Sequence, residues 1–111
     1  MDIYNTVNKL AQELKQSEEY MNFKMAKQAL GMMPEYQSKI LEFEKLRHEE
    51  QINTFESGKI DEKQMRDIQN LYAELIEFPE IKKYFDAELK FNILLGNINK
   101  IISESVVDVI S

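Results

Sequence analysis

Apolar residues recur at every third or fourth position through almost the whole chain, and the alternation that marks a half-buried strand is nearly absent. That spacing places one apolar stripe along each of several α-helices and predicts an all-α fold. Three glycines and two prolines leave little material for β-turns, so turn chemistry points the same way. At 111 residues one domain over 1–111, with one core, is expected.

The helix boundaries can be read residue by residue. Asp2 caps a first helix whose Ile3, Val7, Leu10, Ala11 and Leu14 share a stripe and which ends near Gln16. Ser17 is the next cap, with Glu18 and Glu19 in the first turn, where the helix dipole favours anions. Tyr20, Phe23, Ala26, Ala29 and Leu30 follow, and Gly31 is read as a left-handed stop, with Pro34 opening the third helix. That helix carries Tyr36, Ile40, Leu41, Phe43 and Leu46, then loses its stripe. Between Arg47 and Thr54 only Ile52 is strongly apolar, so the segment to Phe55 is read as one arm of a projecting hairpin with its tip near 57–60. Asp61 and Gln64 stand at capping-box spacing, with Ile60 and Met65 at the staple positions around them. The returning helix carries Met65, Ile68, Leu71, Tyr72 and Leu75, the spacing of a packed seam.

Pro79 opens the last helix. Ile81, Tyr84, Glu88, Phe91, Leu95, Ile98 and Ile102 keep heptad register, and Phe85, Leu89, Leu94 and Ile101 widen the stripe beyond what one neighbouring helix covers. If helical to about Val106 it is ~40 Å long, against a radius of gyration of roughly 13 Å for a compact domain of this size. A close helix crossing is the expected reason for Gly96, which costs about 1 kcal/mol against Ala in a helix interior. The β-branched run after Ser105 is left open. The expected architecture is about five helices, with a projecting hairpin and a long C-terminal helix, in an oligomeric bundle.

Chemistry is narrowed by what is scarce. With no cysteine there are no disulfides, thiolate metal sites or cysteine nucleophiles, and a single histidine removes most imidazole chemistry. His48 stands four residues after Glu44 and beside Glu49 and Glu50. Lys45 breaks the Glu-x-x-His spacing of a di-iron bundle, so a solvated charged face is the expected reading. Ser57, Ser103 and Ser105 lack an adjacent base. Met21, Met25, Met32 and Met33 around the second helix suit either core filling or a soft groove. Twenty acidic and 14 basic residues, interleaved, give a formal charge of −6 and argue against a nucleic-acid surface. The first residues have neither a basic start nor an apolar run, so no secretory signal is expected, and no window approaches the ~20 apolar residues of a membrane span. A cytoplasmic location is the expectation.

Several motifs together resemble a known family. Ser17-Glu18-Glu19-Tyr20, Ala26-Lys27, Phe43, the capped polar hairpin and Ala87-Glu88 leading to Leu94-Leu95-Gly96-Asn97-Ile98-Asn99-Lys100-Ile101-Ile102 look like the YlbF/YmcA family of small helical bacterial proteins. The last stretch is most similar to the YheA branch. The resemblance implies an all-helical, oligomeric cytoplasmic protein of a Gram-positive-type bacterium with no known catalytic residues. YlbF and YmcA relatives act in a complex that influences development and ribonuclease-dependent RNA maturation. Their cysteines, associated with iron–sulfur binding, have no counterpart here, which sets the cluster and that complex's function apart from this chain.

The functional expectation is a non-enzymatic helical homo-oligomer, dimer or tetramer, serving as an adaptor or regulatory interaction module, with no cofactor and no catalytic or metal site. Its subunit contact is placed on Phe91, Leu94, Leu95, Ile98, Ile101 and Ile102. The alternative is a helical bundle that binds a small apolar molecule between its methionines and aromatic rings.

Overall fold

The computed structural model describes residues 2–110, and among them every regular element is helical. The order is α1 (Ile3–Lys15), α2 (Glu18–Gly31), α3 (Pro34–Ser57), α4 (Glu62–Leu75), α5 (Pro79–Ser105) and α6 (Val107–Ile110). The sixth is a single turn in the β-branched run. No helix among the described residues is long and apolar enough to cross a membrane.

Local chemistry accounts for most of the boundaries. The Asp2 carboxylate accepts the Tyr4 N–H at 2.9 Å, and the Ser17 hydroxyl accepts the Tyr20 N–H at 3.1 Å while donating to the Leu14 carbonyl at 2.6 Å. One serine therefore closes α1 and opens α2. Pro34 and Pro79 take the first positions of α3 and α5, where a missing N–H costs nothing. Asp61 accepts from the N–H groups of Lys63 and Gln64 at 3.0 and 3.2 Å.

Three local expectations are corrected. Gly31 ends α2 without a left-handed conformation. Among the described residues the one glycine at positive φ is Gly58 (φ 71°), which closes α3 through its N–H to the Thr54 carbonyl at 2.9 Å. A hairpin tip reverses the chain within a few residues and so demands the left-handed turn, whereas at Gly31 the Met32 and Met33 N–H groups simply bond back to Ala29 and Leu30. Gly96 does not sit at a close crossing, because a Cβ there would meet nothing within 4 Å. The capping box at Asp61 is also one-sided. The Gln64 carbonyl oxygen accepts from the Asn53 side-chain amide at 3.4 Å, tying α4 to α3, and Ile60 stays 63% exposed, so the staple position beside it is little buried.

The chain divides into two compact units, one made of residues up to Lys27 with those from Tyr84 onward, the other of Gln28–Lys83. In the second, α3 and α4 form a helical hairpin, packed through Phe43 against Tyr72 with ring centroids 5.8 Å apart. Ile40, Phe43, Ile68, Leu75 and Ile81 are buried there, and the Tyr36 and Phe78 rings meet at a tilt with centroids 5.2 Å apart. From Arg47 to Asp61 only Glu50 and Thr54 are even half-buried, as the lost stripe implies. In the first unit α2 lies on α5 through aromatic rings: Phe23 is 5.5 Å from Tyr84 and 5.7 Å from Phe91, and Tyr20 is 5.8 Å from Phe91. Each such pair contributes about 0.5–1.5 kcal/mol beyond its buried area.

Candidate functional site

Within the first unit, the apolar stripe of α5 changes its environment along its length. Tyr84, Phe85 and Ala87 are buried, and Phe91 is half-buried under the rings of Tyr20 and Phe23. Leu94, Leu95 and Ile98 are half-buried, whereas Ile101 is 69% and Ile102 54% exposed. Of the six residues expected at a subunit contact, Phe91 thus packs within its own chain and the last two are in solvent. Val106, Val107, Val109 and Ile110 continue the exposed apolar surface.

Helix α1 adds a second one. None of its residues is buried, and Ile3, Tyr4 and Val7 stand out from its stripe, with Ile3 70% exposed. Leu10 and Leu14 of the same stripe are half-buried, so α1 packs only the C-terminal part of its apolar side. A third exposed apolar point is Phe55, 90% exposed beside the hairpin tip.

A cleft of about 420 Å³ in the first unit is walled by Glu18, Glu19 and Asn22 of α2 and by Lys90, Ile93, Leu94 and Asn97 of α5. It is open, and its mouth mixes both charges with two amides. A shallower depression of about 300 Å³ lies among Met33, Pro34, Glu35, Tyr36 and Glu80 in the second unit. Met21, Met25 and Met32 line neither and are exposed. Sequence reasoning did not find the larger cleft: Asn22 and Lys90 are far apart in the chain, and no motif links them.

The residues considered for chemistry are placed as follows. His48 is exposed on α3, and no group of three or more His, Asp or Glu among the described residues is arranged to hold a metal. Glu50 accepts the Thr54 hydroxyl at 2.8 Å. Ser57 donates to the Asn53 carbonyl at 2.7 Å, and Ser105 to the Ile102 carbonyl at 2.7 Å, so both hydroxyls serve the backbone at helix ends. Ser103 is exposed on α5.

A chain whose described residues form helices alone, with exposed apolar residues on α1 and α5 and a polar-armed helical hairpin, belongs to the class of small all-helical proteins. Residues 3–107 match the YlbF/YmcA family, described as control of the competence regulator ComK, and the chain belongs to that family. It is 29% identical over 110 residues to a UPF0342 protein of Desulfitobacterium hafniense, covering 99% of this chain and 89% of that one. It is 31% identical over 104 residues to one from Symbiobacterium thermophilum, covering 94% and 93%. A Clostridium novyi relative is 31% identical over 108 residues, covering 97% and 95%. None of these names carries an enzymatic activity.

Proposed function

We propose that this chain is a self-associating, non-catalytic helical interaction module that acts in the cytoplasm as an adaptor or regulator. The observation that carries this reading is the exposed apolar surface of two helices. Ile3, Tyr4 and Val7 of α1 are 70%, 76% and 52% exposed, and Ile101 and Ile102 near the end of α5 are 69% and 54% exposed. The second of these helices also carries the residues expected at the subunit contact. Apolar area left in water costs about 25 cal/mol per Å², so covering it drives association. The family's description as control of ComK supports a regulatory rather than a metabolic role.

Multi-angle light scattering at tens of micromolar tests the reading. A dimer or tetramer mass is expected, and a monomer mass overturns it.

A further inference from the structure

Given that reading of a self-associating chain, we propose that two copies pair antiparallel along one face of α5, with a two-fold axis at Ile93 and with Asp86 of each copy set against Lys100 of the other. The face lies away from the stripe that packs inside the chain. At about 100° per residue, buried Tyr84 and Ala87 and half-buried Phe91 lie roughly 120° or more from Ile93 around the helix. Ile98 and Ile102 stand on that far side too, so this surface shares no residue with the contact expected on the stripe. Within about 60° of Ile93 the helix is in water: Leu89 is 60% and Ile93 53% exposed, and Asp86, Lys90, Gly96, Asn97 and Lys100 are exposed as well. All of them lie inside Pro79–Ser105, a single uninterrupted helix, so one register holds across the whole face.

The charges on the face specify what covers it. Asp86 lies seven residues before Ile93 and Lys100 seven after, so an antiparallel copy brings opposite charges together twice. Lys82 and Glu104, eleven before and eleven after, repeat the rule with the signs exchanged. Nearer the axis, Leu89 falls opposite Asn97 and Lys90 opposite Gly96, a flexible side chain against open space, so no like charges meet. A parallel pair in register would set Asp86 on Asp86 and Lys100 on Lys100, and like charges in contact oppose association. An unrelated partner would demand no relation between the two halves of one helix. A two-fold contact does demand it, since each residue i that meets j is matched by j meeting i. Within the chain Lys100 holds Glu104 at 3.9 Å with the side chains 72% and 67% exposed, so both remain open to a second copy. Leu89 and Ile93 supply the apolar centre, and the charges around it set orientation and register.

Exchanging the charges tests the pairing. Asp86→Lys and Lys100→Glu are each expected to weaken self-association by about tenfold in sedimentation equilibrium, because each turns two attractions into two repulsions. The double variant Asp86→Lys/Lys100→Glu is expected to regain most of the wild-type affinity. Within one chain residues 86 and 100 stand about 21 Å apart at 1.5 Å per residue, so only contact between copies lets one substitution rescue the other. Far-UV circular dichroism checks that each variant keeps its helix content. Should a charge variant fail to fold, the axis gives an independent reading: the chain has no cysteine, and Ile93→Cys, at an exposed site, is expected to join to its own copy through a short bis-maleimide. A wild-type oligomer whose single charge variants associate unchanged, whose double variant recovers nothing, or whose Ile93→Cys form stays unlinked would overturn the proposal while leaving self-association standing. A monomeric wild type would overturn both.

Discussion

The two units handle their apolar stripes differently. In the Gln28–Lys83 unit the hairpin encloses its seam, with Leu75 1% and Ile81 0% exposed, and beyond Arg47 the mostly polar arm leaves only scattered apolar residues bare, Phe55 and Ile60 near its tip. In the other unit aromatic rings fix α2 on α5, and the stripe then runs on, uncovered, through Ile101 and Ile102, while α1 presents Ile3, Tyr4 and Val7 to water. The same heptad grammar thus serves internal packing in one place and an unpartnered surface in another. A hydrophobic period states that a face must be covered, and tertiary structure decides by what.

The sharpest way to break this contrast is truncation. Leu75→Ala should destabilise the fold by about 2–5 kcal/mol, the cost of a fully buried leucine with its cavity. Ile101→Ala, at an exposed site, should cost well under about 1 kcal/mol in denaturation carried out at concentrations too low for association. Equal losses in urea titrations would remove the distinction between the units. A smaller effect sharpens it. Asp61→Ala should cost about 0.5–2 kcal/mol, because two N–H groups at the start of α4 lose their acceptor. An unchanged midpoint would mean that packing of α4 on α3, rather than the cap, sets this helix start.

The smallest expected effects come from the glycines and have opposite signs. Gly58→Ala should destabilise by about 1 kcal/mol, since a Cβ is strained at φ 71°. Gly96→Ala should stabilise by about 0.5–1 kcal/mol, because the position is helical and open space surrounds it. Differential scanning calorimetry at fixed protein concentration separates the two. A destabilising Gly96→Ala would place a neighbour against this helix face in the assembled protein.

What was legible in the sequence was local. Asp2, Ser17, Pro34, Asp61 and Pro79 each mark a helix start because a cap or a proline acts on backbone within four residues of itself, and all five boundaries appear where those residues stand. Gly31 and Gly96 misled because a glycine permits a left-handed turn or a close approach without requiring either, and the demand comes from surroundings the sequence does not list. The same limit applies to the candidate site. Phe91 and Ile102 belong to the same heptad stripe, yet one is held by Tyr20 and Phe23 and the other is bare, a difference made by the extent of α2 rather than by either residue.

The first unit is assembled from two stretches of chain that residues 28–83 separate, and that interruption governs the order of events as the chain folds. Closing a flexible loop of such length costs roughly 3–4 kcal/mol of chain entropy before any contact between the two stretches is made. The α3–α4 hairpin, by contrast, joins neighbours across a tip of a few residues, and local contacts of this kind form fastest. Once the hairpin has formed, the intervening chain is no longer a free loop, and the remaining closure is shorter. The polar arm that contributes little apolar cover therefore acts early, as the contact that shortens the search for the helices at either end of the sequence.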